Sequence, residues 1–100
     1  MTRYILSPLA RVDLNKIWDF TADRWDEDQA DAYLRMIQAA IETAAENPLH
    51  SPAIYDVRPG YRRHRAGAHL ILFRQIAGAI DVVRVLHENM DVPSHLPDIG

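Results

Sequence analysis

Apolar positions recur with helical period in the first half of the chain and alternate like strands in the second. Leu9, Val12, Leu14, Ile17, Trp18, Thr21 and Trp25 form one broad helical stripe. Ser7-Pro8 marks its start: Ser7 can cap the first free amides, and Pro8 takes the first helical position, where its missing N–H costs nothing. The stripe predicts a helix to about residue 24. Asp26 then caps a second helix, with Gln29 three residues on to complete a capping box. Its stripe is Ala30, Tyr33, Leu34, Ile37, Ala40, Ile41 and Ala44, and Asn47-Pro48 stops it. Two helices joined this closely fold back as an antiparallel hairpin, each roughly 27–30 Å long. Tyr4-Ile5-Leu6 ahead of them is a short extended start.

After residue 48 the period changes. His50-Ser51-Pro52 reads as loop and Arg58-Pro59-Gly60 as a tight turn. Tyr61 to Arg65, Ala68 to Ile76 and Ile80 to His87 read as three strands. Short turns at Ala66-Gly67 and Ala77-Gly78 force them into antiparallel hairpins. The middle strand is apolar on both faces, with Leu70 and Leu72 on one and Ile71 and Phe73 on the other. The last is nearly so, with Val83 and Val85 opposite Ile80, Val82 and Leu86. One helical hairpin covers one face of a small sheet. The other face is therefore expected to stay apolar and open to a partner or a second copy.

A length of 100 residues predicts one domain over 1–100 with a single core. The hydrophobic fraction is 48% and the charged fraction 25%, which places the chain with globular rather than disordered proteins. Without cysteine, disulfide scaffolds, thiol nucleophiles, zinc ribbons and iron–sulfur sites are excluded. The N-terminus runs straight into an amphipathic pattern, and no apolar run approaches the roughly 18 residues of a membrane span. The expectation is a soluble cytoplasmic protein without a signal peptide.

The net charge of −3 hides an asymmetry. Acidic side chains outnumber basic ones up to residue 54, whereas Arg58, Arg62, Arg63, Arg65 and Arg74 fall in a stretch with no acid at all. Arginine makes planar, bidentate contacts to carboxylates and phosphates, so this stretch is either a recognition surface for something acidic or a solvated strand face. Alternation puts Arg63 and Arg65 on one side and Arg62 with His64 on the other.

Other clusters carry less. Asp26-Glu27-Asp28 with Asp31 lacks the glycine and closing glutamate of a calcium loop, and carboxylates belong at a helix N-terminus by dipole alone. His50, His64, His69, His87 and His95 show no metal-ligand spacing, so neither a metal nor any other cofactor is expected. Residue types alone permit a hydrolytic triad, but no G-x-S-x-G elbow exists and Ser7 is used as a cap. Trp18, Trp25 and Tyr33 lie on the apolar helix stripes and are expected in the core.

Several segments, in this order and spacing, resemble one family. They are Leu6-Ser7-Pro8-x-Ala10-x-x-Asp13-Leu14 through Ile17-Trp18-Asp19, then Trp25 followed by Gln29-Ala30 and Tyr33. Next come Asn47-Pro48, Arg58-Pro59-Gly60-Tyr61-Arg62, Gly67-x-His69 and Phe73-Arg74, closing with Val83-x-Val85-Leu86-His87 and Met90-Asp91-Val92. Over nearly its whole length the chain resembles ParE, the toxin half of ParD–ParE toxin–antitoxin pairs in the RelE/ParE superfamily. The resemblance implies an α+β fold: a short N-terminal strand, an antiparallel helical hairpin, and an antiparallel sheet completed by three C-terminal strands.

Superfamily members similar to RelE cut messenger RNA on the ribosome, with arginines, a C-terminal histidine or tyrosine, and often lysines. That chemistry needs a base for the 2′-hydroxyl, cations on the phosphate and an acid for the leaving oxygen. Here His69 or Leu70 stands where those nucleases tend to place an arginine, and the segment after His87 has no arginine, lysine or tyrosine. The resemblance to ParE therefore implies a toxin that poisons DNA gyrase without a catalytic site of its own and is neutralised by a ParD-like antitoxin. It involves no membrane and no sequence-specific nucleic-acid binding. In that reading His87, Met90 and Asp91 face the target, or else lock down the tail as a strand end. Arg58, Arg62 and Arg74, with Leu70 and Leu72, receive the antitoxin. The alternatives are a ribosome-dependent ribonuclease using His64, His69 or His87, and a non-toxic module that only binds its partner.

Overall fold

Ser7 converts strand into helix with a single side chain. The computed structural model describes residues 3–54 and 58–96. Strand β1 (Tyr4–Leu6) ends where the Ser7 N–H meets the Val82 carbonyl at 3.0 Å. The Ser7 hydroxyl accepts from the Ala10 N–H at 3.1 Å and donates to the Val83 carbonyl at 2.8 Å. It thus caps helix α1 (Pro8–Arg24) and ties its start to the sheet. Helix α2 (Glu27–Glu46) begins at Asp26, whose carboxylate accepts from the Gln29 N–H at 2.7 Å. The Trp18 indole N–H donates to Asp31 at 2.9 Å across the helical hairpin. Asn47-Pro48 ends α2, and a single 3₁₀ turn, Pro48–His50, follows.

Strands β2 (Tyr61–Ala66), β3 (His69–Ile76) and β4 (Ala79–His87) form an antiparallel meander, and a short helix α3 (Val92–His95) closes the described chain. The sheet order is β1-β4-β3-β2, with β1 parallel to β4. The α+β class and element order are those expected from the sequence, with a sheet that is mixed because β1 joins β4 in the parallel sense. Gly67 turns β2 into β3 at φ +60°. A Cβ there would lie 2.9 Å from the Tyr33 hydroxyl, so both backbone and space require glycine.

Two apolar cores flank the sheet. Between helices and sheet, Ile17, Ile37 and Ile41 pack on Ile71, Phe73, Ile80, Val82 and Val85. On the far face Tyr61, Leu70, Leu72, Val83 and Leu86 are buried by Ile54 and Leu96, with Val92 beside them. The expectation of an open apolar face is thereby corrected. The segment at 52–54 lies along the edge of β2, where the Ile54 N–H bonds the Tyr61 carbonyl and the Arg63 N–H bonds the Pro52 carbonyl. The chain after β4 folds back over the rest. Both coverings come from stretches with no periodic pattern, which is why alternation in the strands did not show them.

The predicted facing of β4 also changes at one point. Leu72 pairs with Arg84 but Phe73 pairs with Val82, so Val83 is an extra residue in β4. This bulge moves Val85 onto the helix side with Ile80 and Val82, and leaves Leu86 with Val83 on the far face.

Candidate functional site

The bulge delivers Arg84 to the edge of the sheet just where β1 has ended. Its guanidinium spans both layers: Nε and Nη2 donate to the Asp13 carboxylate at 2.7 and 2.8 Å, and Nη1 donates to the His95 carbonyl at 2.7 Å. Asp13 also accepts the Val85 N–H at 2.9 Å, replacing the strand partner β4 lacks there. The hydrogen bond to Asp13 raises the Arg84 pKa further above its usual value, against the cost of burial. Asp13 belongs to the quoted motif, but its partner lies 71 residues away, and no local pattern signals the pair.

Beside this clamp, the ends of β3 and β4 meet the open end of the helical hairpin. His69 and His87 are cross-strand neighbours that point toward the helices, their rings 5.4 Å apart and edge to face. Tyr33 of α2 completes the cluster: its oxygen accepts the Ala68 N–H at 3.2 Å and lies 2.6 Å from His69 Nδ1. In the tautomer with its proton on Nε2, His69 accepts the Tyr33 hydroxyl proton at Nδ1; in the other, Nδ1–H donates to the Tyr33 oxygen. Burial, with the adjacent His87, lowers the His69 pKa below the usual histidine value, while Glu88 and Asp13 oppose the shift. The Asn89 N–H donates to Nδ1 of His87 at 3.1 Å, so that ring carries its proton on Nε2 as bonded here.

These three side chains floor a cleft of about 540 Å³ whose walls include Ile17, Phe20, Trp25, Leu86 and Met90. Trp25, expected in the core, is instead 68% exposed at the mouth. Helix α1 stops at Arg24, and the cap conformation of Trp25 (φ −122°, ψ −93°) takes it off the apolar stripe. Of the residues placed on the target side by sequence, His87 and Met90 line this cleft. Asp91 does not; it leads into α3, bonded to Ser94 through its carboxylate and to His95 through its carbonyl.

The basic stretch does not form one surface. Arg62 points to the helix side with His64, and both bond Ser51, through its carbonyl at 2.8 Å and its hydroxyl at 3.2 Å. Arg74 lies on the far face, paired with Asp81 at 3.1 Å. Arg65 pairs with Glu88 at 3.2 Å in an exposed contact. Arg58 stacks over the Tyr61 ring at 5.8 Å. Leu70 and Leu72, expected to receive the antitoxin, are 7% and 0% exposed here, with Leu96 and Ile54 over that face. Among the described residues no group of three or more metal-ligating side chains converges. No helix among them is long and apolar enough to cross a membrane.

A β-α-α-β-β-β order with a helical hairpin on one sheet face defines a fold class. A solved structure titled "Chromosomal ParDE TA system from P. aeruginosa" shares this fold, with a TM-score of 0.74 and 17% identity over 87% of this chain and 96% of that one. The chain belongs to the family described as "ParE toxin of type II toxin-antitoxin system, parDE", whose profile matches residues 4–92. It is 52% identical to "Toxin ParE1" of Mycobacterium tuberculosis (strain ATCC 25618 / H37Rv) over 96 residues, 95% of this chain and 98% of that protein. "Toxin ParE1" of Caulobacter vibrioides is 38% identical, over 96% of this chain and 99% of the relative. "Toxin ParE" of Escherichia coli is 32% identical, over 98% and 96%.

Proposed function

We propose that this chain arrests bacterial growth by poisoning DNA gyrase and is held inactive in the cytoplasm by a ParD-like antitoxin. The observation that carries the reading is the make-up of the histidine cleft. Its lining is mostly apolar, its one basic side chain other than histidine among the described residues is Lys16, and Arg65, Arg74 and Arg84 are each paired with a carboxylate, Arg84 with Asp13 at the edge of the cleft. A ribonuclease site needs several cations free to surround one phosphate, and beside His69 and His87 the arginines are neutralised by carboxylates. An apolar cleft suits engagement of a protein instead. His87 and Met90 belong to the target side in this reading, with Asp91 setting the start of α3. Arg58, Arg62 and Arg74 serve the antitoxin, on opposite sides of one sheet end. Leu70 and Leu72 join that interface only where the antitoxin displaces Leu96.

One observation favours the ribonuclease alternative: Tyr33 is hydrogen-bonded to His69 and the His87 ring packs edge to face against it, so groups able to carry protons stand together at the cleft. The deciding experiment pairs two assays on the purified chain. Inhibition of gyrase supercoiling with accumulation of broken DNA, relieved by the antitoxin, is the expected result. Ribosome-dependent cleavage of messenger RNA with supercoiling untouched would replace this reading with the ribonuclease.

A further inference from the structure

Among the described residues, Ile5, Met36, Leu49 and Ile76 are exposed apolar side chains away from the cleft, whereas Leu9, Val12, Phe20, Trp25 and Met90 lie along one helix face and the cleft mouth. Leu9, Val12 and Phe20 share one face of α1 with Lys16, and that face runs into the cleft between Trp25 and Met90. Phe20 is 66% exposed and Met90 46%, a concentration a free surface does not keep without use.

The polar end of the same cleft is rich in donors. Nδ1 of His87 accepts the Asn89 N–H, so that ring has Nε2–H to offer, and His69 has the same donor in the tautomer that accepts the Tyr33 hydroxyl at Nδ1. Neither Nε2 has a protein partner among the described residues, and neither is sealed from solvent. Burial and the adjacent His87 lower the His69 pKa, which favours the neutral ring. Lys16 stands at the same cleft without an ion pair among the described residues. The one carboxylate in the lining, Asp13, is consumed by Arg84 and Val85.

We infer that this cleft receives an acidic, apolar segment of the protein on which the chain acts. An aromatic or branched side chain seats between Phe20, Trp25 and Met90, and a carboxylate meets the donors of His69, His87 and Lys16. The inference rests on the target-directed reading above and adds the recognition chemistry. Three features select this occupant. The apolar face of α1 from Leu9 to Phe20 is about 16 Å long, the span of a peptide segment and not of a small molecule. A single lysine is a poor match for a nucleic-acid backbone, which is bound by many cations. Arg74 lies about 17 Å along β3 from His69, so a partner on the basic residues leaves the cleft open.

Two measurements test it. In the first, the full chain with nitrogen-labelled histidine is titrated with N-acetylphenylalanine and with its neutral amide. The Nε2 resonances of His69 and His87 should move with the acid, those of His50 and His64 should not, and the amide should bind about tenfold more weakly. Equal binding of acid and amide, or no shift at His69 and His87, overturns the inference. In the second, Lys16→Glu and Trp25→Ala, both at exposed positions, are expressed beside the parent. Each should lose growth arrest by about tenfold or more, while antitoxin affinity changes by less than about threefold. A variant as toxic as the parent overturns the inference, and so does a large loss of antitoxin affinity, which would make the cleft the antitoxin's. Loss of toxicity in the variants, with gyrase unaffected even by the parent, leaves the cleft as the target site and removes gyrase as the target.

Discussion

At the scale of single residues, the clamp between Asp13 and Arg84 and the His69 cluster make separate demands. The side chains of Arg84 and Asp13 keep only 16% and 9% of their exposure, so removing one charge strands the other in a poorly solvated place. Asp13→Asn should lower stability by about 3 kcal/mol, the lower end for a broken buried pair, since asparagine still accepts one hydrogen bond. Urea unfolding would measure it, and a loss below about 1 kcal/mol would show the clamp to be unimportant. His69 gives a pH signature. Its folded pKa lies below the ordinary value near 6.5, so the unfolded chain binds the proton first as pH falls. Stability therefore drops below about pH 6.5 and levels off once the folded ring also protonates. His69→Gln should remove this component, read as a smaller loss of the urea midpoint between pH 7 and pH 5. An unchanged loss would assign the effect to another group.

At the scale of elements, the far face of the sheet depends on the chain that follows β4. Among the described residues, Leu96, 8% exposed, and Val92 are the apolar contribution of this tail over Leu70, Leu72, Val83 and Leu86. Arg84 fastens the tail through the His95 carbonyl. Leu96→Ala should cost about 2 kcal/mol, at the low end for leucine truncation because the site lies near the surface and can partly collapse. Chemical denaturation checks this. A loss under about 0.5 kcal/mol would show that the tail does not close the second core. The two long helices, the strands and their hairpin turns were legible in the sequence, because Ser7-Pro8, Asp26, Asn47-Pro48 and the hairpin glycines are local signals, whereas α3 and the 3₁₀ turn after α2 were not. The Val83 bulge was not. It adds one residue to one strand of a pair, and only the register against β3 reveals it.

At the scale of the whole molecule, the arginines no longer add up to one basic patch, because alternation and pairing send them to different faces. In the proposed reading, their influence on an antitoxin that carries carboxylates is long-range steering, with apolar burial supplying most of the affinity. Raising salt from low to physiological levels should therefore slow toxin–antitoxin association several-fold and leave dissociation nearly unchanged. Stopped-flow or surface kinetics on the purified pair would show it, and a salt-insensitive association rate would mean that these arginines face something else. The sequence by itself determined the helical hairpin, the three-stranded meander and the family, since each rests on periods, caps and turns set within a few residues. It also picked out His87 and Met90. Tertiary structure alone decided what those residues stand beside: Tyr33 and His69, an exposed Trp25, and an Asp13–Arg84 clamp closing both layers. It decided as well that Leu70 and Leu72 are covered. Such contacts join positions tens of residues apart, and their geometry is fixed by packing and by unpaired strand-edge groups that no short window of sequence contains.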